Sequence, residues 1–123
     1  MIQGVVTEQR TAVIPLTVQG TMGQVDTFPA IVDTGFNGFL TLPLPRIAKL
    51  GFPYRGSMRA VLGNGKEADM DVFAGTVLWD GQVRAVMVLA ADGTPLVGMG
   101  LLDGSRVLLH VTDNGAVRID ALP

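Results

Sequence analysis

An all-β domain with one or two short helices is the fold class that this sequence predicts, and three observations predict it. Sixteen glycines and seven prolines are spread along the 123 residues rather than clustered. They separate short runs rich in valine, isoleucine and threonine, the residue types that fit a pleated, half-buried surface. Asn64-Gly65, Asp80-Gly81 and Asn114-Gly115 stand between such runs, where Asn-Gly and Asp-Gly mark tight hairpin turns. No linker, low-complexity segment or fixed-period repeat divides the chain, so residues 1–123 read as one domain.

The elements follow in order. Thr11 to Val18 reads as a strand, with Pro15 pointing to an edge position or a bulge because proline cannot donate to a ladder. The polar stretch Gln19 to Gln24 turns the chain, and Val25 to Val32 returns as a second strand. After Leu40-Thr41-Leu42, Pro43 and Pro45 open a short helix through Leu50, and Gly51 ends it. Ser57 to Leu62 and Lys66 to Phe73 form a hairpin around Gly63-Asn64-Gly65. Ala74 to Trp79 and Gln82 to Leu89 form a second around Asp80-Gly81. Leu96-Val97-Gly98 leads into a helical piece around Leu101-Leu102, and Val107 to Thr112 turns through Asp113-Asn114-Gly115 into Ala116 to Ile119.

Composition excludes several chemistries. The chain has no cysteine and one histidine, His110, which removes disulfides, thiol nucleophiles and a histidine-rich metal cluster. Nine basic and eleven acidic residues, with no Lys/Arg cluster, leave no electrostatic footprint for nucleic acid. The longest apolar run, Ala85 to Ala91, is too short to cross a bilayer, so no membrane partner is expected. Met1 to Glu8 lacks a basic region followed by a long apolar one, so a cytoplasmic location is the expectation. Hydrophobic residues make up 48 % and charged ones 16 %, an apolar balance that fits a buried interface between two copies.

The segment that carries chemistry is Ala30-Ile31-Val32-Asp33-Thr34-Gly35-Phe36-Asn37-Gly38, an apolar strand ending in an acid, a hydroxyl and a glycine. Peptide hydrolysis without a metal or a covalent intermediate needs a carboxylate to take a proton from water and a carboxylic acid to protonate the carbonyl oxygen. Two aspartates at close range supply both forms, because like charges sharing one site cannot both ionise. One such loop is half a dyad. A two-fold axis would bring Asp33 to Asp33 of a second copy, with Thr34 hydrogen-bonding across it and Gly35 letting the backbones approach. The plain alternative is that Asp-Thr-Gly is a turn. The later segment Thr94 to Leu102 carries Leu96-Val97-Gly98 before a helix, an apolar strand able to run beside the Asp33 loop; alone it reads as an ordinary buried strand.

Val32-Asp33-Thr34-Gly35 together with Leu96-Val97-Gly98 and Leu101-Leu102 resembles the retroviral-type aspartic proteases, the retropepsins, and most closely small prokaryotic relatives with Asp-Thr-Gly-Phe. The resemblance spans about Val13 to Ile119 and implies a retropepsin-like closed β-barrel, a homodimer and catalysis by Asp33, Thr34 and Gly35. It implies a flap at Leu62, Gly63, Asn64 and Gly65, which with Gly98 would contact an extended peptide or protein substrate. No cofactor is implied. Val117 to Asp120 is, by analogy, a candidate interface strand. Two positions depart from the family. Phe36 stands where many retropepsins have alanine or serine, and cannot donate a hydrogen bond to the carboxylate; Met99 stands where retroviral enzymes often have arginine.

The function expected is that of an aspartic endopeptidase accepting hydrophobic residues beside the cut. The alternatives are a non-catalytic dimer of the same shape that binds peptides or assembles, and an unrelated β-barrel with a fortuitous motif. His110, in an apolar run, and Trp79, before a turn, read as structural; Asp69 and Asp71 read as the polar face of a strand, and Asp103 and Asp113 as turn residues.

Overall fold

A computed structural model describes residues 1–61 and 64–123. Among the described residues ten strands form one sheet, joined by two short helices. The strands are β1 (Ile2–Val6), β2 (Ala12–Gln19), β3 (Val25–Val32), β4 (Leu40–Leu42), β5 (Tyr54–Val61), β6 (Glu67–Trp79), β7 (Gln82–Ala90), β8 (Leu96–Val97), β9 (Ser105–Leu109) and β10 (Ala116–Ala121). The helices are α1 (Leu44–Leu50) and α2 (Met99–Leu102). The all-β expectation therefore holds. No helix among the described residues is long and apolar enough to cross a membrane.

The spatial order is β5-β6-β7-β4-β8-β3-β2-β1-β10-β9, and a further pairing of β6 with β2 joins six strands into a ring. Strand alternation fills that ring. Ile14, Leu16 and Val18 of β2, Phe28 and Ala30 of β3, Leu40 and Leu42 of β4, Val77 and Trp79 of β6, and Val86 and Val88 of β7 all point inward and are buried. On one edge of α1, Ile47 and Leu50 reach the same core. Pro43 precedes the helix and Gly51, at φ 72°, ends it in the left-handed conformation that glycine adopts without penalty.

Pro15 is accommodated by neither an edge strand nor a bulge. It faces Pro29 across β2 and β3, a pair that needs no amide hydrogens if it is of the non-hydrogen-bonded kind. On its other side β2 pairs with β1 through Ala12 and Val13 and with β6 through Thr17 and Val18, so Pro15 falls between the two pairings.

Three elements differ from the sequence reading. Residues 2–6 form a strand that the reading omitted, seated between β10 and β2. The runs expected as Lys66 to Phe73 and Ala74 to Trp79 are one 13-residue strand. Its N-terminal half pairs with β5, and its C-terminal half with β7 and β2. Gly75 in its middle is a close approach rather than a break: a Cβ there would lie 2.7 Å from Val88 and 2.8 Å from the Phe52 ring. At the end of the chain, β9 stops at Leu109 instead of Thr112, and His110 beyond it is exposed. The Asp80-Gly81 turn behaves as expected. Trp79 pairs with Gln82 around Asp80 and Gly81, whose φ values of 52° and 80° are those of a two-residue turn matched to strand twist.

Candidate active site

The chain arrives at Asp33 along β3 and leaves through a loop to β4, yet β3 and β4 are not neighbours. Strand β8 lies between them, parallel to β3 through Ile31↔Leu96 and Val32↔Val97 and antiparallel to β4 through Leu40↔Val97. A two-residue strand has little pairing of its own, and side-chain bonding makes up the difference. Thr41, the one buried polar residue among the described core positions, accepts the Leu96 amide on its Oγ1 at 2.9 Å.

This insertion pins the Asp33 loop from beneath. The Asp33 amide donates to Val97 O at 2.9 Å, and Ile31 donates to Pro95 O at 2.8 Å. Beyond β8, Gly98 donates to Phe39 O at 3.0 Å, Met99 to Phe36 O at 2.7 Å and Gly100 to Gly38 O at 2.9 Å. The loop backbone is thus hydrogen-bonded along its length to the segment Val97–Gly100. Gly98 is required by space and not by backbone angle, since its φ of −99° and ψ of 179° suit any residue. A Cβ at that position would collide with the Gly38 carbonyl oxygen and the Phe36 ring.

Asp33 itself is half-buried. Its Oδ1 accepts the Gly35 amide at 2.9 Å, which fixes the carboxylate, and Oδ2 has no hydrogen bond among the described residues. Thr34 and Gly35 are exposed at the loop tip, and the Thr34 hydroxyl makes no hydrogen bond among the described residues. The site therefore offers one oriented carboxylate, with a hydroxyl and a bare backbone beside it. No group of three metal-binding side chains converges among the described residues.

Two clefts flank the loop. One, of about 670 Å³, lies between the loop, the β5–β6 hairpin and β7; Phe36, Met58, Ala60, Val61, Met87 and Leu89 supply its walls. The other, of about 700 Å³, runs from Thr34 past Met99, Leu102 and Val107 to Leu122. Asn37 and Phe39 line both, and the Asp33 loop is the ridge between them.

The residues expected to touch substrate are distributed differently from the expectation. Leu62 and Gly63 lie outside the described residues. Asn64 and Gly65 are exposed at the hairpin tip, where Asn64 Oδ1 accepts the Lys66 amide at 3.0 Å and Gly65 has a φ of 81°; neither lines a cleft. Gly98 is buried behind the loop, under Phe36 and Gly38, and holds the loop instead of facing either cleft. The cleft walls Met58 and Ala60 escaped the reading although a signal was there: both alternate with Arg59, which pairs with Asp69 and Glu67 on the opposite face. Val117 to Asp120 lies in β10, enclosed by β1 and β9, so this stretch has no free strand edge for a partner.

The chain matches no protein-family model and no curated protein.

Proposed function

We propose that this chain is one protomer of a retropepsin-like aspartic endopeptidase, with a closed barrel as its scaffold and a homodimer as its working unit. The observation that carries the reading is the threading of β8 between β3 and β4. That arrangement presents Asp33 on a loop tied by backbone hydrogen bonds to the segment Val97–Gly100, with one carboxylate oxygen bonded and the other unbonded among the described residues. A turn serving only to reverse the chain needs no such support.

In this reading the carboxylates of two copies meet across a two-fold axis and share one proton, because two charges at such range cannot both persist. The ionised member takes a proton from water as the water attacks the peptide carbonyl carbon, and the protonated member gives its proton to the carbonyl oxygen. The tetrahedral intermediate then breaks at the carbon–nitrogen bond as the first aspartate passes the proton it took from water to the leaving amine and one hydroxyl of the intermediate returns its proton to the second aspartate. The Gly35 amide on Oδ1 holds the acid in register for this exchange. Exposed Thr34 is free to bond to its counterpart, and the apolar groove from Met99 to Leu122 beside it supplies a seat for the second copy. The β5–β6 hairpin covers the substrate, which lies extended in the cleft beneath it.

The test is cleavage of a mixed peptide library between roughly pH 3.5 and 7.5, a span that brackets the titration of shared carboxylates. Wild type and Asp33→Asn are run together, with products read by mass spectrometry. Cutting that disappears in the variant is expected. Cutting that persists assigns the activity elsewhere, and a folded dimer that cuts nothing makes the chain a binding module.

A further inference from the structure

The walls of the cleft under the hairpin are not equivalent, and the difference has a consequence for selectivity. Met58 and Met87 are 49 % and 45 % exposed. Their unbranched thioether chains move aside or follow a bound group at little cost. Phe36 is held through its backbone and along two edges of its ring. Its amide donates to Asp33 O at 3.2 Å and its carbonyl accepts Met99 N at 2.7 Å. Its ring lies against two glycines: a Cβ on Gly38 would be 2.6 Å from Cε1 and Cζ, and one on Gly98 would meet the other edge of the ring. The ring therefore has no room to retreat. It lies three positions after Asp33 on the same loop and lines the cleft, so in the protease reading it borders the side chain next to the reacting bond.

We propose that Phe36 determines the size of the substrate side chain accepted beside the scissile bond, acting as a rigid wall of an apolar cleft whose methionine walls are compliant. This rests on the protease reading above. A compliant wall grades ligands weakly, whereas a fixed one excludes whatever overlaps it, because close-packed interiors do not yield by fractions of a side chain. With Phe36 in place, large aromatic side chains are rejected at that position and medium aliphatic ones accepted. Removing the ring opens the space it occupies.

The experiment compares wild type, Phe36→Ala, Phe36→Leu and Met87→Ala on the mixed peptide library. In parallel, the same library is passed over immobilised Asp33→Asn and Asp33→Asn/Phe36→Ala proteins and the retained peptides are sequenced. Expected is a rise of about tenfold or more in kcat/KM for aromatic over aliphatic side chains at one position flanking the cut in Phe36→Ala, since a few methylenes in an apolar pocket are worth ~10–200-fold. Phe36→Leu shifts the same way by less, Met87→Ala by less again, and the retained peptides follow. An unchanged profile in Phe36→Ala, or an equal shift in Met87→Ala, overturns the proposal while Asp33-dependent cutting leaves the protease reading standing. Retained peptides that shift with residue 36 in a protein that never cuts support the size gate and overturn the protease. Neither cutting nor retention overturns both. Should Phe36→Ala fail to fold by circular dichroism, the Phe36→Leu profile decides, and no shift there overturns the proposal.

Discussion

At the scale of single residues, Asp33 and Gly98 show two ways in which a side chain, or its absence, constrains the same loop. Asp33 uses half of its carboxylate to bond the amide two residues on, the local turn that aspartate forms readily. Gly98 contributes nothing but space. Its backbone is extended, so alanine is conformationally welcome there, yet the Cβ would strike the Gly38 carbonyl and the Phe36 ring. Neither can yield without shifting the Asp33 loop. Gly98→Ala is expected to destabilise the fold by about 1–3 kcal/mol, the range for overpacking. Urea denaturation measures it, and a change within experimental error would mean that the loop is softer than its hydrogen bonds imply. Gly81 offers the contrasting case: a Cβ there meets nothing, but φ of 80° disfavours any side chain.

At the scale of elements, β8 matters beyond its length. Two residues hold β3 and β4 apart and fix the Asp33 loop, and one of their amides depends on a side chain of β4. Thr41→Val keeps the shape and deletes the acceptor, leaving the Leu96 amide unpaired. A loss of about 1 kcal/mol is expected for that part-buried donor. Faster hydrogen exchange at Leu96 and Val97 than in β2 would accompany it, and exchange unchanged at those amides would show that the bond is dispensable. The β5–β6 hairpin is held differently. Arg59 meets Glu67 and Asp69 on its outer face with all three side chains more than half exposed. Screening by water makes such pairs weak, so Arg59→Ala is expected to cost under about 1 kcal/mol in thermal unfolding.

At the scale of the whole molecule, the ring of strands buries its own core, and part of what remains apolar on the surface lies beside the loop. Met99 at 46 % and Leu122 at 56 % exposure border the groove beside Thr34. The proposed dimer places a second copy there, and this yields a prediction independent of peptide cutting. Sedimentation is expected to give twice the 12.9 kDa protomer mass at high concentration. The specific activity should fall on dilution, as the dyad comes apart. Thr34→Val, at an exposed position, is expected to leave protomer stability within about 0.5 kcal/mol of wild type and to raise the dissociation constant. A protomer that stays monomeric at every concentration removes the dyad.

The sequence by itself determined the local half of this protein. Glycine-containing turns, period-two alternation and the proline-to-glycine frame of α1 are written in neighbouring residues, so β2, β3, α1, β7 and the Asp80-Gly81 turn were legible, as was Asp33 at the end of an apolar strand. Proximity of the Leu96-Val97-Gly98 segment to the Asp33 loop was legible as a possibility. Only the tertiary structure decided that β8 lies between β3 and β4, that β6 runs unbroken through Gly75, that β1 joins the sheet and that β10 is closed on both sides. These depend on backbone hydrogen bonds between distant segments, which leave no periodic trace in side-chain identity. The same holds for Phe36, whose ring becomes a cleft wall because two glycines, one of them 62 positions away, leave it a place to pack.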